Sequence, residues 1–179
     1  MSGVLEAAPM SRRQLEDLGW AMRKLVGADQ DPWFPVAHVI EKSLPALFGE
    51  DFAFEIWSRR EMGEDQHAFA SVDEKLLVLR EDVYEGLIAH RGRDRMTAVH
   101  ELAHLILHPS PRLSRRMTSA PITAFRDPEW QAKCLAGAIM MPAAMMKDAK
   151  SLREVTAEFG VSVAAAAYRA NRQLGMSLR

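Results

Sequence analysis

Two histidines four residues apart, with a glutamate beside the first, are the residues of this chain best suited to chemistry. They are His100, Glu101 and His104, in the order His-Glu-Leu-Ala-His. The flanking residues are mostly hydrophobic and include no Gly or Pro, which favours a helix, and side chains four apart lie on one helix face. Both imidazoles can therefore bind one metal ion, with Glu101 as a candidate base that activates water. An amphipathic helix carrying two histidines by coincidence is the alternative.

A catalytic zinc site usually takes three protein ligands and leaves a fourth position for water. His108 continues the spacing, but on a straight helix it lies ~12 Å of rise beyond His100, and each four-residue step drifts by ~40°. Such side chains do not converge on one ion, so we expect His108 to support a ligand or cap the helix. Glu129 is the other candidate. Spacing alone leaves open whether it binds metal or is an acidic residue favoured at a helix N-terminus.

Composition narrows the class of protein. With 179 residues, 48% hydrophobic and 26% charged at a net charge of −1, we expect one folded domain and no direct nucleic-acid binding. The single cysteine, Cys134, excludes an intrachain disulfide and a cysteine-built zinc site. The longest hydrophobic stretch, 134–146, is too short to span a bilayer, and no secretory signal is visible. We therefore expect a cytoplasmic protein without a membrane partner.

The N-terminal part, 11–50, has the pattern of helices. A capping box at Ser11 opens a first helix that stops near Gly27. Asp31, followed by a proline, predicts the start of a second helix. Pro45 predicts that this second helix ends or bends there.

A two-residue alternation in residues 51–80 predicts strands. Three short strands are expected at 52–57, 67–72 and 76–79, the last two forming a hairpin. Short strands next to helices indicate a small antiparallel sheet rather than a doubly wound one.

The segment 94–142 contains the helices that would carry the site. Asp94 is a plausible cap for the helix bearing the two histidines, which ends at His108. Residues 109–126 are rich in Ser, Thr, Pro and Arg and predict a long loop. Asp127, followed by proline, then starts a helix that reaches Met141.

The tail, 150–175, predicts two helices joined by a tight turn, an outline shared with helix-turn-helix units. A DNA-binding regulator is therefore an alternative function. However, the second helix begins with Val163 and four alanines, which cannot read base edges by hydrogen bonding. We expect this tail to pack on the core and to leave Arg169 and Arg172 exposed.

Two blocks of the chain resemble the ImmA/IrrE family of metallo-endopeptidases. Residues 95–108, RMTAVHELAHLILH, resemble its R-F-T-x-A-H-E-x-G-H-x-x-L-H, and 129–142, EWQAKCLAGAIMMP, resemble its E-x-x-A-N-x-F-A-x-x-L-L-M-P. The resemblance covers roughly residues 35–175. It implies one zinc ion as cofactor and Glu101 as the catalytic base. The implied metal ligands are His100, His104 and Glu129.

The resemblance and the predicted elements together indicate an α+β fold. We expect a single, mostly helical, zincin-like domain over 1–179, with a three-stranded antiparallel sheet packed beside the metal-binding helix. Four positions depart from the family pattern without removing a ligand or the base. They are Met96 for the usual Phe, Ala103 for Gly, Lys133 for Asn and Leu135 for Phe.

Characterised members of the family cut helix-turn-helix repressors, which implies site-specific cleavage of such a repressor in a mobile element or stress response. A loop carrying Arg112, Arg115 and Arg116 could meet an acidic partner, although a solvated loop is the favoured interpretation. The strand at 67–72 could border the cleft and pair with an extended substrate. A non-cleaving metal-binding regulator or toxin–antitoxin partner is an alternative, but the intact Glu101 favours an enzyme.

A peptidase also needs a donor that stabilises the oxyanion. The sequence offers several side chains for this role and does not choose among them. They are His67, Tyr84, His90 and Tyr168, with His108 as a further possibility.

Overall fold

The computed structural model describes residues 4–108, 113–116 and 123–178, and of 4–5, 50 and 113–116 it describes the backbone alone. The described part is mostly helical, with a three-stranded sheet and a two-stranded ribbon. Its α-helices are α1 (Arg12–Leu25), α2 (Val36–His38), α3 (Leu44–Phe48), α4 (Arg59–Met62), α5 (Glu81–Ile88), α6 (Gly92–Leu107), α7 (Pro128–Met140), α8 (Ala143–Met146), α9 (Leu152–Phe159) and α10 (Val163–Tyr168). None of the helices described is long and hydrophobic enough to cross a membrane.

Helix α1 begins as predicted, whereas the second helix does not. The Ser11 hydroxyl accepts the N–H of Gln14, and the Gln14 side chain accepts the N–H of Ser11 at 2.9 Å. The predicted start at Asp31 is wrong, because α2 begins at Val36. The Asp31 carboxylate instead accepts the N–H of Trp33 at 2.8 Å and closes a turn.

A π-helical turn, Val39–Ser43, interrupts the helix just before Pro45, where an end or a bend was predicted, and α3 then runs through the proline to Phe48. Here the N–H of Leu44 donates to the carbonyl of Val39, one residue further back than in an α-helix. Proline has no N–H with which to continue the α-helical ladder, so the wider turn coincides with the interruption.

The three-stranded sheet is mixed, so the wholly antiparallel sheet expected from the sequence is wrong. Its strands β2 (Ala53–Trp57), β3 (Ala68–Ser71) and β4 (Leu76–Arg80) lie in the order β2-β4-β3. β3 and β4 form the predicted antiparallel hairpin, whereas β2 runs parallel to β4. The chain crosses from β2 to the far edge before it returns through the middle. Alternation predicts that strands form, but not this order.

A second strand pair also departs from expectation. β1 (Val4–Ala7) pairs antiparallel with β5 (Leu113–Arg116), which lies inside the stretch predicted as a loop. The composition of this stretch does not predict a strand, because the strand depends on pairing with β1, which lies near the N-terminus and far away in the sequence. Arg112 lies outside the described residues, as do the side chains of Arg115 and Arg116.

The two helices of the site begin differently. Asp94 is not the cap of α6, which starts at Gly92 with Arg91 in the cap position. Asp94 lies in the first turn, where its carboxylate forms an ion pair with Arg91 at 2.9 Å. Helix α7 starts as predicted, because the Asp127 carboxylate accepts the N–H of Glu129 at 3.0 Å.

Helix α6 lies at the centre of the fold, packed against α5, α7 and the β3–β4 hairpin. Its buried Val99 and Leu102 belong to the main hydrophobic core. The buried guanidinium of Arg95 lies 3.5 Å from the centre of the Trp33 ring and donates to the carbonyl of Phe34 at 2.8 Å. These contacts fix the position of α6, and with it both histidines.

The C-terminal tail forms the two predicted helices, α9 and α10, around a left-handed Gly160 (φ +61°). A π-helical turn, Arg169–Leu174, extends α10. The expected exposure of Arg169 is wrong: its side chain is buried and forms an ion pair with Glu16 of α1 at 2.5 Å. Arg172 is exposed. The tail is thereby attached to the body of the fold.

Candidate metal centre

Donor groups of three residues converge where α6 and α7 face each other. The Nε2 atoms of His100 and His104 lie 3.2 Å apart. Glu129 faces both from the first turn of α7, with one carboxylate oxygen 3.2 Å from His104 Nε2 and the other 3.4 Å from His100 Nε2. The structure thus brings together the two histidines of the motif and the carboxylate from beyond the loop.

The spacing of these atoms can be compared with that of a zinc site. Ligands at ~2.0–2.1 Å in tetrahedral geometry place their donor atoms about 3.3 Å from one another. The two Nε2 atoms lie 3.2 Å apart, close to this value, and the Glu129 carboxylate faces them with one oxygen 3.2 Å from His104 and the other 3.4 Å from His100. Two histidines and one glutamate are also a donor set used by catalytic zinc sites that keep one position open. The residues present therefore fit the ion.

The protonation of the histidines favours metal binding as well. Burial lowers the pKa of His100 and of His104, and the charge of Lys133 lowers both further, against the opposing carboxylate of Glu129. Both imidazoles are therefore neutral near pH 7. Neutral imidazole is the form that binds a metal.

His108 lies behind His104 rather than beside the donor atoms. Its Nδ1 is 3.1 Å from Nδ1 of His104, and its Nε2 is 3.1 Å from the side-chain oxygen of Gln131. The amide nitrogen of Gln131 donates to the carbonyls of Ala8 and Phe125, both at 2.8 Å. These two carbonyls fix the orientation of the amide, because their oxygens can only accept and must therefore face the amide nitrogen.

This chain of hydrogen bonds assigns the tautomer of His104. Since the Gln131 oxygen can only accept, the proton of His108 is on Nε2, and its Nδ1 is an acceptor. The neighbouring Nδ1 of His104 then carries the proton, which leaves the lone pair of its Nε2 directed towards Glu129. Gln131 was missed by sequence reasoning. In the structure Gln131 is 1% exposed. A polar residue within the mostly hydrophobic sequence of α7 is the feature that could have identified it.

Glu101 lies next to the donor atoms in a partly buried position. Burial, together with the negative charge of Glu129, raises its pKa to about 7, although the backbone N–H of Ala70 donates to its carboxylate and opposes the shift. A bound cation would offset part of this rise. A carboxylate that titrates near neutral pH can both accept a proton and return it.

The outer edge of β3 faces this glutamate. The N–H of Arg80 donates to the carbonyl of His67 at 3.0 Å, which fixes the phase of the β3–β4 ladder. The backbone polar groups of Ala68 and Ala70 therefore point away from β4. β3 is an edge strand of the sheet, and the N–H of Ala70 reaches Glu101.

The remaining candidate donors occupy different places. Three of the four contact partners elsewhere: His67 contacts Arg80 at 2.7 Å, Tyr84 donates to Glu41 at 2.8 Å, and His90 packs edge-on against Trp33. Tyr168 instead lines a cavity that His100 also lines. Among these four, only Tyr168 shares the wall of this cavity with a residue of the donor set.

A histidine pair, a facing carboxylate and a partly buried glutamate on the helix of the histidines form an arrangement typical of metal-dependent hydrolases. A protein-family model described as the IrrE N-terminal-like domain, a peptidase family, matches residues 67–171, more than half of the chain. The chain belongs to this ImmA/IrrE family, which places it among the metallopeptidases. No curated protein matches its sequence.

Proposed function

We propose that this protein is a zinc-dependent endopeptidase that cuts a protein substrate at a specific site. The observation that carries the proposal is the convergence of the donor groups of His100, His104 and Glu129, with Glu101 beside them. The family match supports the class of reaction.

In the proposed mechanism His100, His104 and Glu129 hold the ion. When bound, zinc lowers the pKa of its water towards neutrality and polarises the scissile carbonyl. The Glu101 carboxylate would accept the proton of the attacking water and return it to the leaving amine. Tyr168 is the candidate donor for the developing oxyanion, since its side chain shares a cavity wall with His100.

The substrate is proposed to bind as an extended strand along β3. Ala68 and Ala70 direct their backbone polar groups to the open edge of the sheet. An exposed edge of this kind can pair with an added strand through main-chain hydrogen bonds. Such pairing would bring the scissile bond beside Glu101.

We further propose that the substrate is a helix-turn-helix repressor, so that cleavage relieves repression in a mobile element or stress response. The family resemblance alone supports this part of the proposal. A repressor encoded next to this chain is the natural first substrate to test.

The test compares the parent with Glu101→Gln in cells that co-express the neighbouring repressor. The parent should bind one zinc per chain and cut the repressor, whereas Glu101→Gln should keep the zinc and lose cleavage by ~10²–10⁴-fold, the usual contribution of a general base. His104→Ala should lose the zinc. Glu158→Gln, an exposed change on α9, is the matched control and should behave like the parent.

Three outcomes would count against the proposal. Cleavage by Glu101→Gln at the parental rate would refute the assigned base. Failure of the purified protein to bind zinc under reducing conditions would refute the metal site. Zinc binding without cleavage of the repressor would favour the non-cleaving regulatory role instead.

A further inference from the structure

A cavity of about 310 Å³ adjoins the metal centre on the side of His100. It lies between α6, α7 and the C-terminal helix α10 with its extension. Its walls are mostly hydrophobic and include Met96, Ala136, Met141 and Ala165. Ligand sites start at about this size and have this character.

Most polar groups that line the cavity already form hydrogen bonds or ion pairs within the protein. The guanidinium of Arg169 donates to Glu16 and to the carbonyl of Met141. The side-chain amide of Gln173 accepts from Arg169 and donates to the carbonyl of Lys133. Neither side chain therefore offers a free charge to a ligand, and the interior of the cavity suits a hydrophobic group.

The mouth of the cavity carries two exposed polar side chains, Lys133 and Tyr168. Lys133 forms no ion pair among the described residues, and its charge acts on His100 and His104. Its aliphatic stem can cover hydrophobic surface while the ammonium stays in water. A cation at the entrance disfavours a basic ligand.

Two residues of this lining, Met96 and Lys133, are positions at which the chain departs from the family pattern of Phe and Asn. The lining can therefore give this protein its own preference among substrate side chains. The continuity with His100 also limits the occupant, because any group bound here lies beside the reacting centre.

We propose that this cavity binds one bulky, uncharged hydrophobic side chain of the substrate, on a residue next to the scissile bond. The inference depends on the proposed peptidase function, since it assigns a subsite to the same centre. Leucine, methionine and phenylalanine are the side chains of this class.

The test uses small hydroxamates, which chelate the metal through two oxygens, bound to the zinc-loaded protein and measured by calorimetry. One probe carries an isobutyl side chain, one a methyl and one a 4-aminobutyl. Three additional buried carbons at about 0.8 kcal/mol each correspond to an affinity gain of up to about 50-fold for isobutyl over methyl. The aminobutyl probe should bind more weakly than the isobutyl probe.

Two variants on α10 localise the effect. Ala165→Leu places a larger side chain on the cavity wall and should remove most of the isobutyl preference. Ala164→Leu makes the same change at the neighbouring exposed position and should keep it. Both variants should still bind the methyl probe, which confirms that the metal centre is intact.

The results separate the subsite from the proposed function. Equal affinities for isobutyl and methyl in the parent, or an isobutyl preference that survives Ala165→Leu, would overturn the subsite and leave the peptidase proposal standing. If none of the probes binds the zinc-loaded protein, the inference fails together with the accessible metal centre. A parental preference for aminobutyl would overturn the assigned hydrophobic class.

Discussion

Replacing His108 with phenylalanine is expected to weaken zinc binding by about 10- to 100-fold. In the structure His108 accepts the Nδ1 proton of His104 and passes the hydrogen bond on to Gln131. Phenylalanine keeps a ring of similar shape but cannot accept this proton. The side chain of His108 is only 2% exposed, so water cannot readily take its place.

The expected loss corresponds to about 1.4–2.8 kcal/mol of binding free energy. A typical net hydrogen bond contributes ~0.5–1.5 kcal/mol, and a buried donor left without an acceptor costs ~1–3 kcal/mol. The Nδ1–H of His104 would be such a donor. His104 would then be held less firmly in the tautomer whose Nε2 lone pair is free to bind the metal.

The measurement is a competition titration in which a coloured chelator and the protein compete for zinc. His38→Phe, on an exposed histidine of α2, is the matched control and should bind zinc like the parent. Gln131→Leu should weaken zinc binding in the same direction, because it removes the oxygen that accepts the Nε2 proton of His108 and thereby fixes its tautomer. Parental zinc affinity in a folded His108→Phe protein would refute the relay.

Two further predictions concern stability. Glu16→Gln should lower the free energy of unfolding by about 3 kcal/mol in urea titrations, because it removes the charge that faces the buried Arg169. Asp17→Asn, an exposed neighbour without an ion pair among the described residues, should change it little. In metal-free protein the pKa of Glu101 is raised from 4.5 to about 7, so its contribution to stability is complete below pH 4.5 and is lost as pH rises through 7. Glu101→Gln should therefore gain about 3 kcal/mol relative to the parent between pH 4.5 and 8; a difference independent of pH would contradict the raised pKa.

The sequence by itself determined the parts of the site that depend on local geometry. Helical periodicity alone places His100 and His104 on one face of α6. The caps at Ser11 and Asp127 start α1 and α7 where predicted. These features depend on residues within four positions of one another, so a linear pattern records them. The Asp31 signal failed because the same residue types also close a tight turn.

Only the tertiary structure decided how these pieces meet. It ordered the strands as β2-β4-β3, paired β1 with β5, and buried Arg169 against Glu16. It also placed Gln131 behind His108 and opened a hydrophobic cavity beside His100. Each of these contacts joins residues far apart in the chain, where no periodicity links them. The position of Glu129 depends on both. The sequence predicts the start of its helix, but its distance of 3.2 Å from His104 depends on how α6 and α7 pack.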